Sequence, residues 1–246
     1  RHPQYLFINI DCLTYAGNPK NILIKKLPNY RFVKSDICNK KVLENIFKKY
    51  QPTDIIHFAA ESHVDLSIKN PHRFVETNIV GTHNLLSLSK KYGLNRFYQI
   101  STDEVYGALN TTDPAFKENT PLAPNSPYSA SKASADMLVR AYHETFGLNT
   151  VISRCSNNYG PRQDPTKLIP KSIYNLLSNK KIPLYGNGQN IRDWLYVNDH
   201  VEAIDTIFHR GISGEIYNVG GEREILNYDL VVLITKKLKK TTASIE

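Results

Sequence analysis

The sequence predicts an α/β protein organised as a Rossmann-type, doubly wound parallel sheet with a smaller second lobe. Short runs rich in Ile, Val, Phe and Tyr alternate with longer amphipathic segments, the pattern of strands buried on both faces and joined by crossover helices. Helix-start signals fall where that alternation needs them, with Pro at a first helical position in Asn70-Pro71 and in Ser126-Pro127. With 246 residues and 41% hydrophobic content, the chain can enclose one sizeable core, or one large domain carrying a lobe.

In chain order, strands are expected at 5–10, 30–34, 54–58, 96–101 and 150–154, and helices at 39–50, 71–91, 127–146, 167–178, 199–209 and 227–240. The Pro- and Asn-rich stretch 110–127 is expected to be a loop overlying a site. A dinucleotide-binding fold opens with a strand, a Gly-rich turn and a helix, yet no GxGxxG occurs anywhere, and the first strand-like run leads directly into Asp11. Asp11 stands where such folds place the acidic residue that follows the glycines by about 20 positions and holds the adenosine ribose. The first strand and Gly-rich turn are therefore expected to be missing.

The formal charge is +8, but the Lys pairs at 25–26, 40–41, 48–49, 90–91, 180–181, 236–237 and 239–240 are dispersed. Nucleic-acid recognition needs a clustered basic face and a reading motif, and neither is visible, so nucleic acid is not the expected partner. A mildly positive field suits a small molecule bearing a pyrophosphate. No run of 18 uninterrupted apolar residues marks a membrane span, and no signal-peptide core follows Arg1-His2-Pro3-Gln4, so a soluble cytoplasmic protein is expected. Cys12, Cys38 and Cys155 are odd in number and lack CxxC spacing, as reduced structural thiols do. His57, His63, His83 and His200 form no HxxxH or Cys/His cluster, and no metal is expected.

Chemistry concentrates in two places. Tyr128-Ser129-Ala130-Ser131-Lys132 puts a phenol and an ammonium four residues apart, on one helix face. The cation favours the phenolate, making a usable base of a group that otherwise titrates near about pH 10. Upstream, Ile100-Ser101-Thr102-Asp103-Glu104-Val105-Tyr106-Gly107 ends an apolar run in a hydroxyl and two adjacent carboxylates. Ligands of open α/β sheets meet the carboxyl ends of strands, and two neighbouring carboxylates with separated pKa values can serve as acid and base. The plainer reading is an Asp that caps a helix or turn beside a solvated Glu.

Further blocks accompany these two: Asp11-Cys12-Leu13-Thr14-Tyr15-Ala16-Gly17-Asn18, Ala59-Ala60-Glu61-Ser62-His63-Val64-Asp65, Glu76-Thr77-Asn78-Ile79-Val80-Gly81-Thr82 and Cys155-Ser156-Asn157-Asn158-Tyr159-Gly160-Pro161. In this order they resemble the dTDP-glucose 4,6-dehydratases of the extended short-chain dehydrogenase/reductase family over nearly the whole chain. Lys167-Leu168-Ile169-Pro170, Pro183-Leu184-Tyr185-Gly186 and Ile191-Arg192-Asp193-Trp194-Leu195-Tyr196-Val197 resemble that family's nucleotide-sugar-binding lobe. The resemblance implies that 1–160 is an NAD-binding Rossmann-like domain, incomplete at its N-terminus. It makes 161–246 mainly the substrate-binding lobe, interleaved with the end of the Rossmann domain and incomplete at its C-terminus.

The implied reaction is a redox-neutral elimination. Tyr128 removes the proton of the glucose 4-hydroxyl while C4 passes hydride to NAD, and Thr102 holds the sugar. Glu104 then abstracts the C5 proton acidified by the 4-ketone, Asp103 protonates the departing C6 hydroxyl, and the hydride returns to C6. The product is dTDP-4-keto-6-deoxyglucose. Lys132 completes the catalytic set.

For NAD, the resemblance implicates Asp11, Leu13, Thr14, Asp36, Ile37, Phe58, Ala59, Ala60, Ser62, Thr77, Tyr128, Lys132 and Asn158, with Cys12 where the family usually has Lys. For the nucleotide sugar it implicates Ser62, Thr102, Asn157, Lys167, Leu168, Pro183, Tyr185, Arg192 and Asn227. Arg192 carries the clearest physical reason, because a guanidinium meets pyrophosphate oxygens in bidentate fashion, unless an ion pair with Asp193 occupies it. Trp194 reads as lobe core. A homodimer through the helices near 71–91 and 127–146 is implied as well. Alternatives are a UDP-glucose 4,6-dehydratase, a sugar-nucleotide epimerase lacking use for the carboxylate pair, and a non-catalytic binding or dimerisation remnant.

Overall fold

Strand-forming runs and capped helices alternate along the chain much as the residue pattern dictates. A computed structural model describes residues 2–110, 112–184, 188–241 and 245. Its strands are β1 (Phe7–Asp11), β2 (Tyr30–Lys34), β3 (Asp54–His57), β4 (Arg96–Thr102), β5 (Thr150–Cys155), β6 (Asn157–Tyr159), β7 (Ile191–Tyr196), β8 (Ile216–Val219) and β9 (Glu224–Leu226). Its α-helices are α1 (Lys40–Tyr50), α2 (Val64–Lys69), α3 (Pro71–Phe74), α4 (Thr82–Tyr92), α5 (Pro127–Phe146), α6 (Leu168–Leu177), α7 (Val197–Arg210) and α8 (Asn227–Lys237).

The chain divides into two compact units, Arg1–Arg154 with Thr206–Asn218, and Cys155–Asp205 with Val219–Glu246. The division falls after Arg154, where 160 was expected: β5 closes at the next residue, Cys155, and the Ser156 amide bonds the Val219 carbonyl within the second unit.

In the first unit β1 pairs with β2 in parallel, and β3, β4, β5 and β8 form a four-stranded sheet in which β3 and β4 run parallel. Both pieces share one apolar core. Ile8, Ile10 and Val33 from the first piece pack against the buried cluster of Leu43, Phe47, Leu86, Phe97, Val139 and Ile152. β4 is buried along nearly its full length, as a central strand covered on both faces must be.

Local chemistry explains the helix ends. Asn39 caps α1 by accepting the Val42 amide, and Leu43, Ile46 and Phe47 fall on its buried face at helical spacing. Ser126 and Ser129 form a reciprocal capping box at the start of α5, Pro127 occupies the first turn, and Gly147 closes the helix at φ 66°. Small residues, Ser129, Ser131, Ala133 and Ala135, line the buried face of α5 and let its backbone approach the sheet closely.

The helix expected over 71–91 is not uniform. It is α3, a π-helical stretch Val75–Gly81, and then α4. The cause is visible at two contacts, one polar and one apolar: Asn78 turns inward to bond the Glu61 backbone, and Gly81 lies against Ile37, where any Cβ would come within 2.5 Å of Cδ1 and 2.7 Å of Cγ1. α2 was not expected as a separate helix, because its six residues are too few to show periodicity.

The second unit holds a three-stranded sheet, β6 parallel to β7 and β7 antiparallel to β9, with α6 and α8 packed on each other around Leu176, Ile182 and Val231. Among the described residues, no helix is long and apolar enough to cross a membrane.

Gly81→Ala is expected to destabilise the protein by about 1–3 kcal/mol through overpacking against Ile37, read as a lower urea midpoint. An unchanged midpoint would show that the π-helical stretch relaxes without cost.

Candidate active site

β4 delivers the first group of candidate residues. Thr102 ends the strand in an extended conformation and caps the 3-10 turn Asp103–Tyr106, accepting the Glu104 amide at 3.3 Å. Its hydroxyl donates to Oδ1 of Asp103 at 3.2 Å. The capping role imagined for Asp103 thus belongs to Thr102, and both carboxylates stay half-buried on the turn.

α5 delivers the second group. Tyr128, Lys132 and Asp136 follow at four-residue intervals and share a helix face. Lys132 is 5% exposed, and its Nζ donates to the Ile100 carbonyl at 2.7 Å, two residues before Thr102. α5 also packs against the 3-10 turn itself, while the half-buried Tyr128 meets Phe74 edge-on, ring centres 6.3 Å apart. The Tyr–Lys pair and the Thr-Asp-Glu turn therefore belong to one unit and one end of one strand.

The remaining first-unit candidates lie at the carboxyl ends of neighbouring strands. Asp11 ends β1, is exposed, and accepts the Leu13 amide at 2.6 Å; Leu13 has φ 55° and Thr14 is exposed. Asp36 follows β2, is exposed, and accepts the Cys38 amide at 2.8 Å. Ile37 differs: it is 6% exposed and belongs to the core. After β3, Phe58 presents a ring that is 58% exposed, Ala59 and Ala60 are half-buried, and Ser62 is exposed. Thr77 is half-buried on the π-helical stretch.

Sequence reasoning missed what holds this loop. The Asn78 side chain accepts the Glu61 amide at 2.8 Å, donates to the Glu61 carbonyl at 2.9 Å and donates to Ser131 Oγ at 2.8 Å, so one amide clamps loop and helix together. Glu61, 4% exposed, pairs with Arg73 at 2.6 Å. The only signal for this was the presence of Asn78 and Glu61 inside motifs.

In the second unit Asn157 lies on β6, in register with Trp194 of β7, two residues beyond the exposed Arg192. Arg192 donates to the Ile191 carbonyl, while both Asp193 oxygens are taken by the amides of Gly221 and Arg223. Asp193 is thus a loop clamp. Lys167 and Leu168 sit at the start of α6, Pro183 is exposed, and Asn227 opens α8 with its Oδ1 buried. Asn158 is held from both ends, donating to the Ser156 carbonyl at 3.1 Å and meeting Nδ1 of His200 at 2.8 Å. Tyr185 lies outside the described residues.

Two other features bear on the chemistry. None of the three cysteines is in a disulfide, and burial pushes the Cys38 thiol up to about 12, which suits a structural thiol. A 410 Å³ hollow lined by Phe47, Gln51, Thr53, Tyr92 and Asn95 opens at the amino ends of β3 and β4; its lining holds no carboxylate, so acid–base work is not supported there.

Comparison with known proteins adds an independent line. Residues 2–245 match the protein family described as GDP-mannose 4,6 dehydratase. The dTDP-glucose 4,6-dehydratase of Escherichia coli is 49% identical over 254 residues, covering 96% of this chain and 70% of the relative. The crystal structure of dTDP-glucose 4,6-dehydratase from Bacillus anthracis in complex with NAD superposes with a TM-score of 0.90 at 50% identity, covering 97% of this chain and 74% of that one. A Thermus thermophilus UDP-glucose 4-epimerase complex with NAD also superposes, with a TM-score of 0.88 at 28% identity, covering 97% and 77%.

His57 shows how tightly this region is closed. It is 3% exposed, and its Nε2 meets Thr82 Oγ1 at 3.0 Å; since that hydroxyl donates to the Asn78 carbonyl, the ring must donate from Nε2. Burial first, and the Lys132 cation second, push the imidazole down from 6.5 to about 3. The unfolded chain accepts a proton below 6.5 that the folded chain refuses until about 3, so stability falls with acid across that window. Between about pH 7 and about pH 5 the loss from this group is roughly 2 kcal/mol. Urea titrations at the two pH values should show that difference shrinking in His57→Asn; an equal difference in both proteins would contradict the neutral, buried ring.

Proposed function

Because the chain belongs to the family described as GDP-mannose 4,6 dehydratase, we propose that it dehydrates dTDP-glucose to dTDP-4-keto-6-deoxyglucose with NAD as a cofactor that ends the cycle unchanged. The base and sugar are those in the name of the Escherichia coli relative, and NAD that of the Bacillus anthracis complex. The observation that carries the reading is the pair Asp103 and Glu104 on one 3-10 turn, against which the Tyr128–Lys132 helix packs. An epimerase removes no water and has no work for two carboxylates there.

The residues present suit NAD. Exposed carboxylates stand at the end of β1 (Asp11) and just after β2 (Asp36), as ribose and adenine contacts require, and the exposed Phe58 ring and Ser62 hydroxyl follow β3. Bound NAD would supply two-electron chemistry, withdrawing hydride from sugar C4 and returning it at C6.

The chain's own residues do the rest. Tyr128 accepts the proton of the 4-hydroxyl, assisted by the buried Lys132 ammonium one turn away. Thr102 orients the sugar and, through its hydroxyl, the Asp103 carboxyl. Glu104 takes the C5 proton and Asp103 gives one to the leaving C6 hydroxyl. Arg192, whose Asp neighbour is committed to backbone amides, is available for the pyrophosphate.

The proposal extends to a homodimer and a cytoplasmic setting. Exposed apolar side chains on the π-helical stretch between α3 and α4 and on α5, Val75 at 45%, Val80 at 39% and Met137 at 44%, support association through these helices, and three cysteines outside any disulfide suit a reducing compartment.

The test is turnover of dTDP-glucose, UDP-glucose and GDP-mannose by the NAD-loaded protein, with product identified by mass and NMR. Loss of one water from dTDP-glucose in preference to the others is expected; C4 inversion without water loss would establish the epimerase reading. Asp103→Asn and Glu104→Gln should each slow dehydration by roughly 10²–10⁴-fold while the first oxidation at C4 persists. Equal turnover in both variants would remove the carboxylates from the mechanism.

A further inference from the structure

Beneath the candidate site lies a buried charge pair that the proposed chemistry does not use. Arg154 at the end of β5 is 2% exposed and Asp136 on α5 is 0% exposed, with Arg154 Nε donating to Asp136 Oδ2 at 3.0 Å. Such a pair is weak evidence for stability, because desolvation offsets most of the attraction. Its location is more informative. Asp136 stands one helical turn beyond Lys132 and two beyond Tyr128.

The other arm of the guanidinium reaches the acid-bearing turn. Arg154 Nη1 donates to the Tyr106 hydroxyl oxygen at 2.9 Å, and the guanidinium lies 4.8 Å from the ring centre. Tyr106 in turn donates to Asn218 Oδ1 at 2.8 Å and stacks on Phe116 at 4.9 Å. Tyr106 is the last residue of the 3-10 turn that begins with Asp103. Gly107 follows at φ 98°, where a Cβ would meet the Ala123 carbonyl oxygen at 2.5 Å, so the exit of the turn is also fixed. Thr102 caps one end of the turn, and Arg154 ties the other to the helix that carries Tyr128.

We propose that Arg154, with Asp136 as its counter-ion, is a positioning residue for the dehydration step, setting through Tyr106 where the Asp103–Glu104 pair stands relative to Tyr128. The inference rests on the dehydratase reading above. Fixing an acid and a base against a separate tyrosine is a demand that oxidation alone does not make. The network should therefore matter more for elimination than for the preceding oxidation.

Deleting Asp136 or Arg154 outright strands a buried charge and threatens the fold. Tyr106→Phe instead keeps the ring and its stack and removes only the hydroxyl, while Arg154→Lys keeps a cation beside Asp136 but loses the forked contact. In the NAD-loaded protein, both variants should retain KM for dTDP-glucose and lose about tenfold to a hundredfold in kcat, the scale of a small misplacement of reacting groups. Reduced-nicotinamide absorbance should build up during turnover, because oxidation proceeds while elimination lags. Amide hydrogen exchange at 103–107 should accelerate.

A lower melting temperature with unchanged kcat per folded molecule and no build-up of reduced cofactor would overturn the inference. Should the parent protein turn over no dTDP-glucose, the dehydratase reading fails by itself, and hydrogen exchange still decides the anchoring. Faster exchange at 103–107 in Tyr106→Phe upholds it, and unchanged protection there overturns it.

Discussion

A lysine ammonium in the protein interior is the constraint on which the first unit's site depends. Burying such a charge costs several kcal/mol unless it is hydrogen-bonded and electrostatically compensated. Lys132 meets that demand with the Ile100 carbonyl and with the field of Asp136 one turn further along α5. Turning the helix by one residue, roughly 100° about its axis, would break the contact and leave the charge in apolar surroundings. Helix and strand are thereby locked in register, and Tyr128 is held toward the carboxyl end of β4, where Thr102 begins the acid-bearing turn.

The same economy of polar contacts shapes the loop after β3. A backbone segment of small residues, Ala59 and Ala60, has little side-chain packing to hold it, yet it carries several of the residues assigned to the cofactor. Asn78 substitutes for that packing by taking up both backbone groups of Glu61 and reaching Ser131 on α5. To aim one amide in three directions the helix departs from α geometry, which accounts for a π-helical stretch at this point. Glu61 adds a second fastening through Arg73, whose guanidinium also lies over the Tyr15 ring at 5.7 Å.

What the sequence disclosed was local. The Tyr–Lys interval, the hydroxyl and carboxylates ending an apolar run, and the Pro and Ser signals before α5 all act within one or two helical turns, and the structure places each on the expected element. Boundaries of the first five strands were legible to within two residues, because β-branched and aromatic runs end at polar punctuation. The three-stranded sheet of the second unit was not, since its strands β6 and β9 are three residues each and carry no period. Contacts that position the site were equally invisible: Asn78 to Glu61 spans 17 residues, Arg154 to Asp136 spans 18, and Tyr106 to Asn218 spans 112. Nothing in the local pattern of Asn78, Asp136 or Arg154 separates them from ordinary surface or capping residues, and only packing reveals that they face inward.

The division between fold and chemistry can now be placed within the chain. A dehydratase and an epimerase superpose on it almost equally well, so the sheet and its helices do not choose the reaction. Alcohol oxidation needs the phenol, the ammonium and a nicotinamide, which the shared scaffold can provide; elimination additionally needs an acid and a base on the far side of the sugar carbon that has been oxidised. The two carboxylates proposed for those roles, Asp103 and Glu104, ride on four residues between Thr102 and Gly107. A segment so short has no core of its own, and its orientation must be imposed from outside. The cap from Thr102, the phenol of Tyr106 and the tight exit at Gly107 are what impose it, so that in the proposed reading elimination depends also on Tyr106 and Arg154, which take no part in holding the sugar.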